Sequence, residues 1–257
     1  MGIQPRADGE PQMPDIGELI GSGMVADVHV YGERALKLYH PGRGKEQAFL
    51  EATVLSVLEG HDLPAPRVHA VGEFGGRWGL IMDRVAGGTL GDRAIADASQ
   101  AGPVLDEMVR LQLMLHAAKE TRLRPLKLRL RSNIERAPLL DAPLRERLVA
   151  KLRELPDGDC VCHGDFHPLN IIGAPGQSTI IDWLDATSGS PSADACRTYV
   201  LLRVGAAAFA EPYLDLYAAR SGIERADILA WLPCVTAARL TEDAGDSEFL
   251  FELAKST

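Results

Sequence analysis

The residues best suited to chemistry are Asp165 and Asn170, within Cys162-His163-Gly164-Asp165-Phe166-His167-Pro168-Leu169-Asn170, and Asp182, within Ile180-Ile181-Asp182-Trp183. Four residues separate Asp165 from Asn170. That spacing suits kinase-type phosphoryl transfer, in which the Asp receives the acceptor hydroxyl's proton and the Asn holds Mg²⁺. Ile171-Ile172 and Thr179-Ile180-Ile181 are short β-type runs, and Gly173 to Ser178 between them has turn chemistry. Paired as an antiparallel hairpin, the two runs put Asn170 and Asp182 at the same end. An amide oxygen and a carboxylate beside Asp165 then suit Mg²⁺, which takes one or two protein oxygens plus phosphates and waters.

Two other readings compete for this stretch. His163-x-Asp165-x-His167 has the look of a transition-metal cluster, but a metallohydrolase needs further ligands. The remaining histidines, His29, His40, His61, His69 and His116, all lie earlier and form no H-x-H or H-x-x-x-H pair. The stretch also reads as a polar turn between core strands, which leaves Asn170 and Asp182 unexplained where apolar residues would serve.

The elements that must position these residues come from a chain of ordinary globular composition, 46% hydrophobic and 25% charged, with 257 residues available for two lobes. No apolar run is long enough to span a membrane. Residues 1–14 hold three prolines and no signal-peptide core, and are expected to be disordered. Four cysteines do not make a disulfide scaffold; Cys160 and Cys162 read as small core residues, and a cytoplasmic setting fits. A net charge of −9 without a dominant basic stripe argues against nucleic acid as partner. The richest basic stretch, Arg122 to Arg136, reads as a solvated helix face.

Residues 15–86 read as a nucleotide-binding lobe. Gly21-Ser22-Gly23 fits a turn between strands where backbone N–H groups approach phosphates. Lys37 lies in the strand Arg34 to Leu38, on one face with Ala35 and Tyr39. Glu51 falls on the apolar face of a helix over 45–59, beside Ala48, Leu55 and Leu58, where a carboxylate needs a partner. Lys37 is the natural one. Strands follow at 68–71 and 78–82. Met82-Asp83-Arg84-Val85-Ala86-Gly87-Gly88 reads as an inter-lobe linker, where the backbone at Met82, Asp83 and Val85 meets an adenine edge.

Residues 87–257 read as a mainly helical lobe. A helix begins near Pro103 and buries Leu105, Met108, Val109, Leu111, Gln112 and Leu115, with His116 as a packing or capping residue. Further helices are expected over 144–155, 192–209, 211–220 and 224–240. Asp194 lies in the first turn of one of these, where it satisfies backbone donors.

With these residues in place, the chain from about Gly17 to Asp194 resembles the aminoglycoside phosphotransferase and choline kinase-like family. The strongest part is His163 to Asn170 together with Ile181-Asp182-Trp183. Gly164 stands where protein kinases usually have Arg, and Trp183 where they have Phe. The nucleotide loop departs from the pattern, with Ala26 in place of the third glycine. The resemblance implies a protein-kinase-like α+β fold: a small antiparallel sheet lobe with one helix, and a larger helical lobe. It implies Asp165 as catalytic base, Asn170 and Asp182 as Mg²⁺ ligands, and Lys37 on the nucleotide phosphates with Glu51 holding it. It also implies that His163 and Asp194 support the loop.

The expected activity is transfer of the γ-phosphoryl of ATP or GTP to a hydroxyl of a small molecule. Aminoglycosides, choline-like alcohols, amino alcohols and sugars are the acceptor classes raised by analogy. Asp185, Glu242 and Asp243 are candidate acceptor contacts and tilt the expectation toward a cation, and Asp246 lies near them in sequence. Protection against an antibiotic and a metabolic role both fit. A nucleotide-binding module without catalysis is the main alternative, although a pure binder has no need of Asp165. A protein kinase is the other, although no A-P-E type segment follows Asp182.

Overall fold

The computed structural model describes residues 15–242 and 246–255. Residues 1–14, expected to be disordered, and Asp243 lie outside them. Two compact units are present. The first comprises the described residues up to Ala52 together with Pro66–Val85, and the second comprises Thr53–Ala65 and the described residues from Ala86 onward.

The first unit is built on a five-stranded antiparallel sheet. Its strands are β1 (Leu19–Ser22), β2 (Ala26–Tyr31), β3 (Arg34–Tyr39), β4 (Val68–Phe74) and β5 (Arg77–Asp83), in the order β1-β2-β3-β5-β4. Gly32 in the turn after β2 and the Gly75-Gly76 pair after β4 take positive φ, which a tight reversal requires and glycine permits. β3 is central, and Ala35 to Tyr39 are all buried. Tyr31, Leu36, Leu38 and Phe74 form the core with Ile81 against them. The segment from Met82 differs from the expected linker. β5 continues through Asp83, because Met82 pairs with both Ala35 and Val68, and Asp83 donates its N–H to Arg67 O at 2.9 Å.

Helix α1 (Lys45–Leu58) begins in the first unit and ends in the second. The division therefore differs from a single boundary near residue 86. Residues 53–65 are tied into the second unit: Pro64 O accepts the Ile180 N–H at 2.7 Å, and His61 meets Glu120 at 3.0 Å.

The second unit contains α2 (Leu90–Ala96), α3 (Ala101–Ala117), α4 (Leu126–Arg136), α5 (Ala142–Glu154), β6 (Cys160–Cys162), β7 (Ile171–Ala174), β8 (Gln177–Ile180) and β9 (Thr187–Gly189). These are followed by α6 (Pro191–Gly205), α7 (Ala207–Ser221), α8 (Arg225–Leu229), α9 (Leu232–Arg239) and α10 (Ser247–Lys255). β6 pairs with β9 and β7 with β8, both antiparallel. The break expected near residue 210, between helices over 192–209 and 211–220, falls earlier, because Ala206 leaves the helical region at φ −155° and ψ 59°. Its neighbour Gly205 is a poor helix former, and the nearly continuous apolar pattern hides the place of the break. The helix expected over 224–240 is two. Pro233 sits in the first turn of α9, where its missing N–H is harmless. Among the described residues, no helix is long and apolar enough to cross a membrane.

Candidate active site

The β7–β8 hairpin sets the ends of the site in the second unit. Ile171 pairs with Ile180, and Ile181 donates its N–H to Asn170 O at 2.9 Å. Asn170 and Asp182 thus flank the open end of the hairpin, as the two apolar runs require. Asp182 is the one non-glycine with positive φ among the described residues, at 63°. Such a backbone persists only where its surroundings hold it. Here Trp183 is fully buried, its Nε1–H donates to Ile180 O at 2.9 Å, and its ring lies 4.6 Å from that of His163.

The loop from β6 to β7 carries Asp165. Asn170 Nδ2 donates to Asp165 O at 2.9 Å and to Asp165 Oδ2 at 3.1 Å. His167 Nε2 lies 3.4 Å from the same oxygen, and Arg197 Nη2 lies 3.7 Å from Oδ1. Desolvation alone raises the Asp165 pKa, but His167 and the positive charge of Arg197 outweigh it and hold the carboxyl well below its usual range. The carboxylate is ionised at neutral pH, as a proton acceptor needs to be. Asn170 Nδ2 is turned toward Asp165, which leaves the amide oxygen as the atom that could face a metal. An amide oxygen and a carboxylate at one hairpin end form the hard, all-oxygen donor set that suits Mg²⁺.

His163 is no metal ligand. Its Nδ1 accepts the Asp165 N–H at 3.2 Å, so Nε2–H donates to Ile181 O at 3.0 Å. Burial lowers its pKa, and the neutral ring pins the loop to the hairpin. Gly164 has φ +81°, and a Cβ there would meet Asp185 O at 2.5 Å. Its N–H donates to Asp194 Oδ1 at 2.8 Å. The other oxygen of Asp194 accepts from Gln112 Nε2 at 2.9 Å and meets His116 Nε2 at 3.0 Å. Burial pushes the Asp194 pKa up, yet these hydrogen bonds hold it below the ordinary value. Gln112 was read only as one of the residues on the apolar face of α3, and its amide among apolar neighbours is the signal that could have marked it. His116 is the packing residue expected of it, and it also meets the Tyr217 hydroxyl at 2.6 Å.

His116, Cys160 and Cys162 are the one group of three or more His, Cys, Asp or Glu residues among the described residues close enough to share a metal. Both nitrogens of His116 already have partners. The thiols face main-chain carbonyls, Cys160 Sγ at 3.0 Å from Gly189 O and Cys162 Sγ at 3.6 Å from Ser190 O. Burial pushes the Cys162 thiol up, which disfavours the thiolate a metal requires. These are core residues.

In the first unit, Lys37 Nζ donates to Glu51 Oε1 at 2.8 Å, and both side chains are buried. The Tyr39 hydroxyl donates to the other oxygen of Glu51. Tyr39 was legible only as a residue on the same strand face as Lys37. Gly21 and Gly23 lie at the β1–β2 turn, and Ser22 Oγ donates to Asp27 Oδ1 at 2.9 Å. Neither glycine has positive φ, and a Cβ at either would meet only ordinary contacts. The Asp83 carboxylate accepts from Arg67 N and meets His69; Val85 lies two residues beyond β5.

The two described residues read as acceptor contacts, Asp185 and Glu242, both have arginine partners. Asp185 Oδ2 lies 2.6 Å from Arg129 Nη2, and Glu242 takes Arg197 Nη2 on both oxygens at 2.9 Å. Arg239 reaches Glu242 at 3.3 Å and Asp246 at 2.8 Å. The expected solvated face of α4 is therefore only partly so: Arg131 pairs with Glu135 at the surface, while Arg129 turns inward. A cavity of about 30 Å³ adjoins Gly164 and is lined by Arg129, Asn133, Thr187, Arg197, Arg239 and Glu242. Thr187 Oγ1 is buried there with no hydrogen-bond partner.

Solved structures show the same fold at low identity. An aminoglycoside phosphotransferase APH(4)-Ia in ternary complex with ADP and hygromycin B is 15% identical with a TM-score of 0.69, over 95% of this chain and 93% of that one. Choline kinase LicA from Streptococcus pneumoniae is 16% identical with a TM-score of 0.67, over 95% and 94%. Aminoglycoside phosphotransferase APH(3'')-Id from Streptomyces rimosus is 21% identical with a TM-score of 0.62, over 83% and 89%. No curated protein matched the sequence. Residues 21–231 match the family model described as the phosphotransferase enzyme family. The stretch from Asp165 to Asp182 that prompted the resemblance lies inside the matched range, and the chain belongs to that family.

Proposed function

We propose that this phosphotransferase moves the γ-phosphoryl of ATP or GTP to a hydroxyl of a small molecule, with Mg²⁺ as cofactor. The observation that carries the reading is the Asp165–Asn170–Asp182 arrangement. An ionised carboxylate is held by the amide of the residue that leads into the hairpin, and a second carboxylate follows the partner strand at the same end. Asp165 accepts the acceptor's proton and orients its oxygen for in-line attack. Asn170 and Asp182 hold Mg²⁺, which supplies charge neutralisation on the phosphates. Lys37, fixed by Glu51 and Tyr39, takes the α- and β-phosphates. The glycines at 21 and 23 serve close approach of the nucleotide, since the turn itself does not require them. Met82, Asp83 and Val85 serve the base. His163 and Asp194 keep the catalytic loop in place.

Because Asp185 and Glu242 are each neutralised by arginine, they exert little net pull on a polyamine. A cationic acceptor must exchange partners with Arg129 or Arg197 to use them.

The test is nucleoside-diphosphate release from Mg-ATP and Mg-GTP across aminoglycosides, choline, amino alcohols, sugars and hydroxy acids. Turnover with one class is expected, reduced about 10²- to 10⁴-fold in Asp165→Asn. Equal activity in wild type and variant, or no nucleotide binding, overturns the proposal.

A further inference from the structure

We propose that Arg197 is a positioning residue for Asp165: together with Asp194, one helical turn earlier, it clamps the backbone of Gly164 from both sides. The inference rests on the phosphoryl-transfer reading for its kinetic consequence, but not for its geometry. Residues three apart on a helix share a face, so α6 presents Asp194 and Arg197 to the loop together. Asp194 Oδ1 accepts the Gly164 N–H at 2.8 Å, and Arg197 Nε donates to Gly164 O at 3.0 Å. That carbonyl belongs to the peptide leading into Asp165, whose N–H is held by His163 Nδ1 at 3.2 Å. Both polar groups of the peptide that carries Asp165 are therefore fixed.

The same guanidinium places Nη2 3.7 Å from Asp165 Oδ1. It addresses main chain and carboxylate with one rigid fork, which a lysine cannot copy. Glu242, on the connection between α9 and α10, holds that fork through two bonds of 2.9 Å. Glu242 is on this account the anchor of Arg197 rather than an acid awaiting a substrate. Arg197 is 9% exposed, and its place in the strongly apolar stretch after Asp194 was the sequence signal for a buried role.

The test uses Mg-ATP hydrolysis with water as acceptor, alongside thermal melting. In Arg197→Met, kcat per folded molecule is expected to fall about 100-fold with little change in KM for ATP, while the melting temperature falls because Glu242 loses a buried partner. Arg197→Lys should recover only a small part, and Glu242→Gln should lie between wild type and Arg197→Met. In Arg197→Gly, millimolar guanidinium should restore part of kcat and methylammonium should not. Wild-type kcat in Arg197→Met overturns the proposal, as does a loss that Arg197→Lys repairs in full or that guanidinium leaves untouched. If wild type hydrolyses no Mg-ATP with or without an acceptor, the phosphoryl-transfer reading fails. The clamp is then judged by hydrogen exchange at the Gly164 amide. Exchange in Arg197→Met that speeds up by more than the loss of global stability accounts for supports it, and exchange that only tracks global stability overturns it.

Discussion

Lys37 and Glu51 are charges removed from water, only 5% and 1% exposed. A buried pair is destabilised most when one member is neutralised and the other is left alone. Glu51→Gln is expected to lower unfolding stability by about 3 kcal/mol, against little for the exposed Glu46→Gln, as measured by urea denaturation. Tyr39→Phe removes only a neutral donor and should cost about 1 kcal/mol. Gly164 shows a different sensitivity. Its positive φ and the 2.5 Å approach of Asp185 O to a Cβ predict that Gly164→Ala loses about 2 kcal/mol or more. Activity should fall further than that loss explains, because Asp165 is the next residue. The pairing of Lys37 with Glu51 was legible, since each sat alone among apolar neighbours at a definite period. Arginine pairing at Asp185 and Glu242 was not, because the partners Arg129 and Arg197 lie 56 and 45 residues away.

At the scale of elements, α6 does the most for the site. Pro191 starts it, and its first turns carry Asp194 and Arg197. Asp194 also receives Gln112 and His116 from α3, so one carboxylate joins two helices and the loop that carries Asp165. In Asp194→Asn an amide donor faces the donors of Gln112 and His116. We expect loss of stability together with loss of kcat, seen as a lower melting temperature and slower turnover in the same variant. A cap remote from the site gives the contrast. Asp141 Oδ1 accepts the Leu144 N–H at 2.8 Å at the start of α5. Asp141→Ala should cost about 1 kcal/mol and leave turnover per folded molecule unchanged. The β7–β8 hairpin was readable because its runs are short, β-branched and separated by glycine turns. The places of the breaks at Ala206 and between α8 and α9 were not, because residues 204–210 and 228–232 are all apolar and carry no phase to interrupt.

At the scale of the whole molecule, acid stability is expected to depend on carboxylates that tie distant segments. Arg122 is the main cause that holds Glu120 down, from 4.5 to about 2, and His61 adds to it against the opposing effect of burial. A carboxyl whose folded pKa is depressed stabilises the fold above its unfolded pKa, and that contribution is lost as pH falls toward the folded value. Stability from Glu120 should therefore be complete above about pH 4.5 and vanish on the way to about pH 2. Glu120→Gln should be less stable at neutral pH and show a shallower acid limb in urea titrations at stepped pH. The sequence by itself determined the fold class and the family, and it named the candidate reactive groups. Each of these rests on residue type at short, fixed spacing: Asp165 to Asn170, the hairpin to Asp182, Lys37 on its strand and Glu51 on its helix face. Tertiary structure alone decided which charges neutralise one another, that Asp194 and Arg197 grip the same glycine, and that residues 53–65 belong with the second unit. Those are contacts between segments far apart in the chain, and local spacing places no constraint on which distant partner a side chain meets.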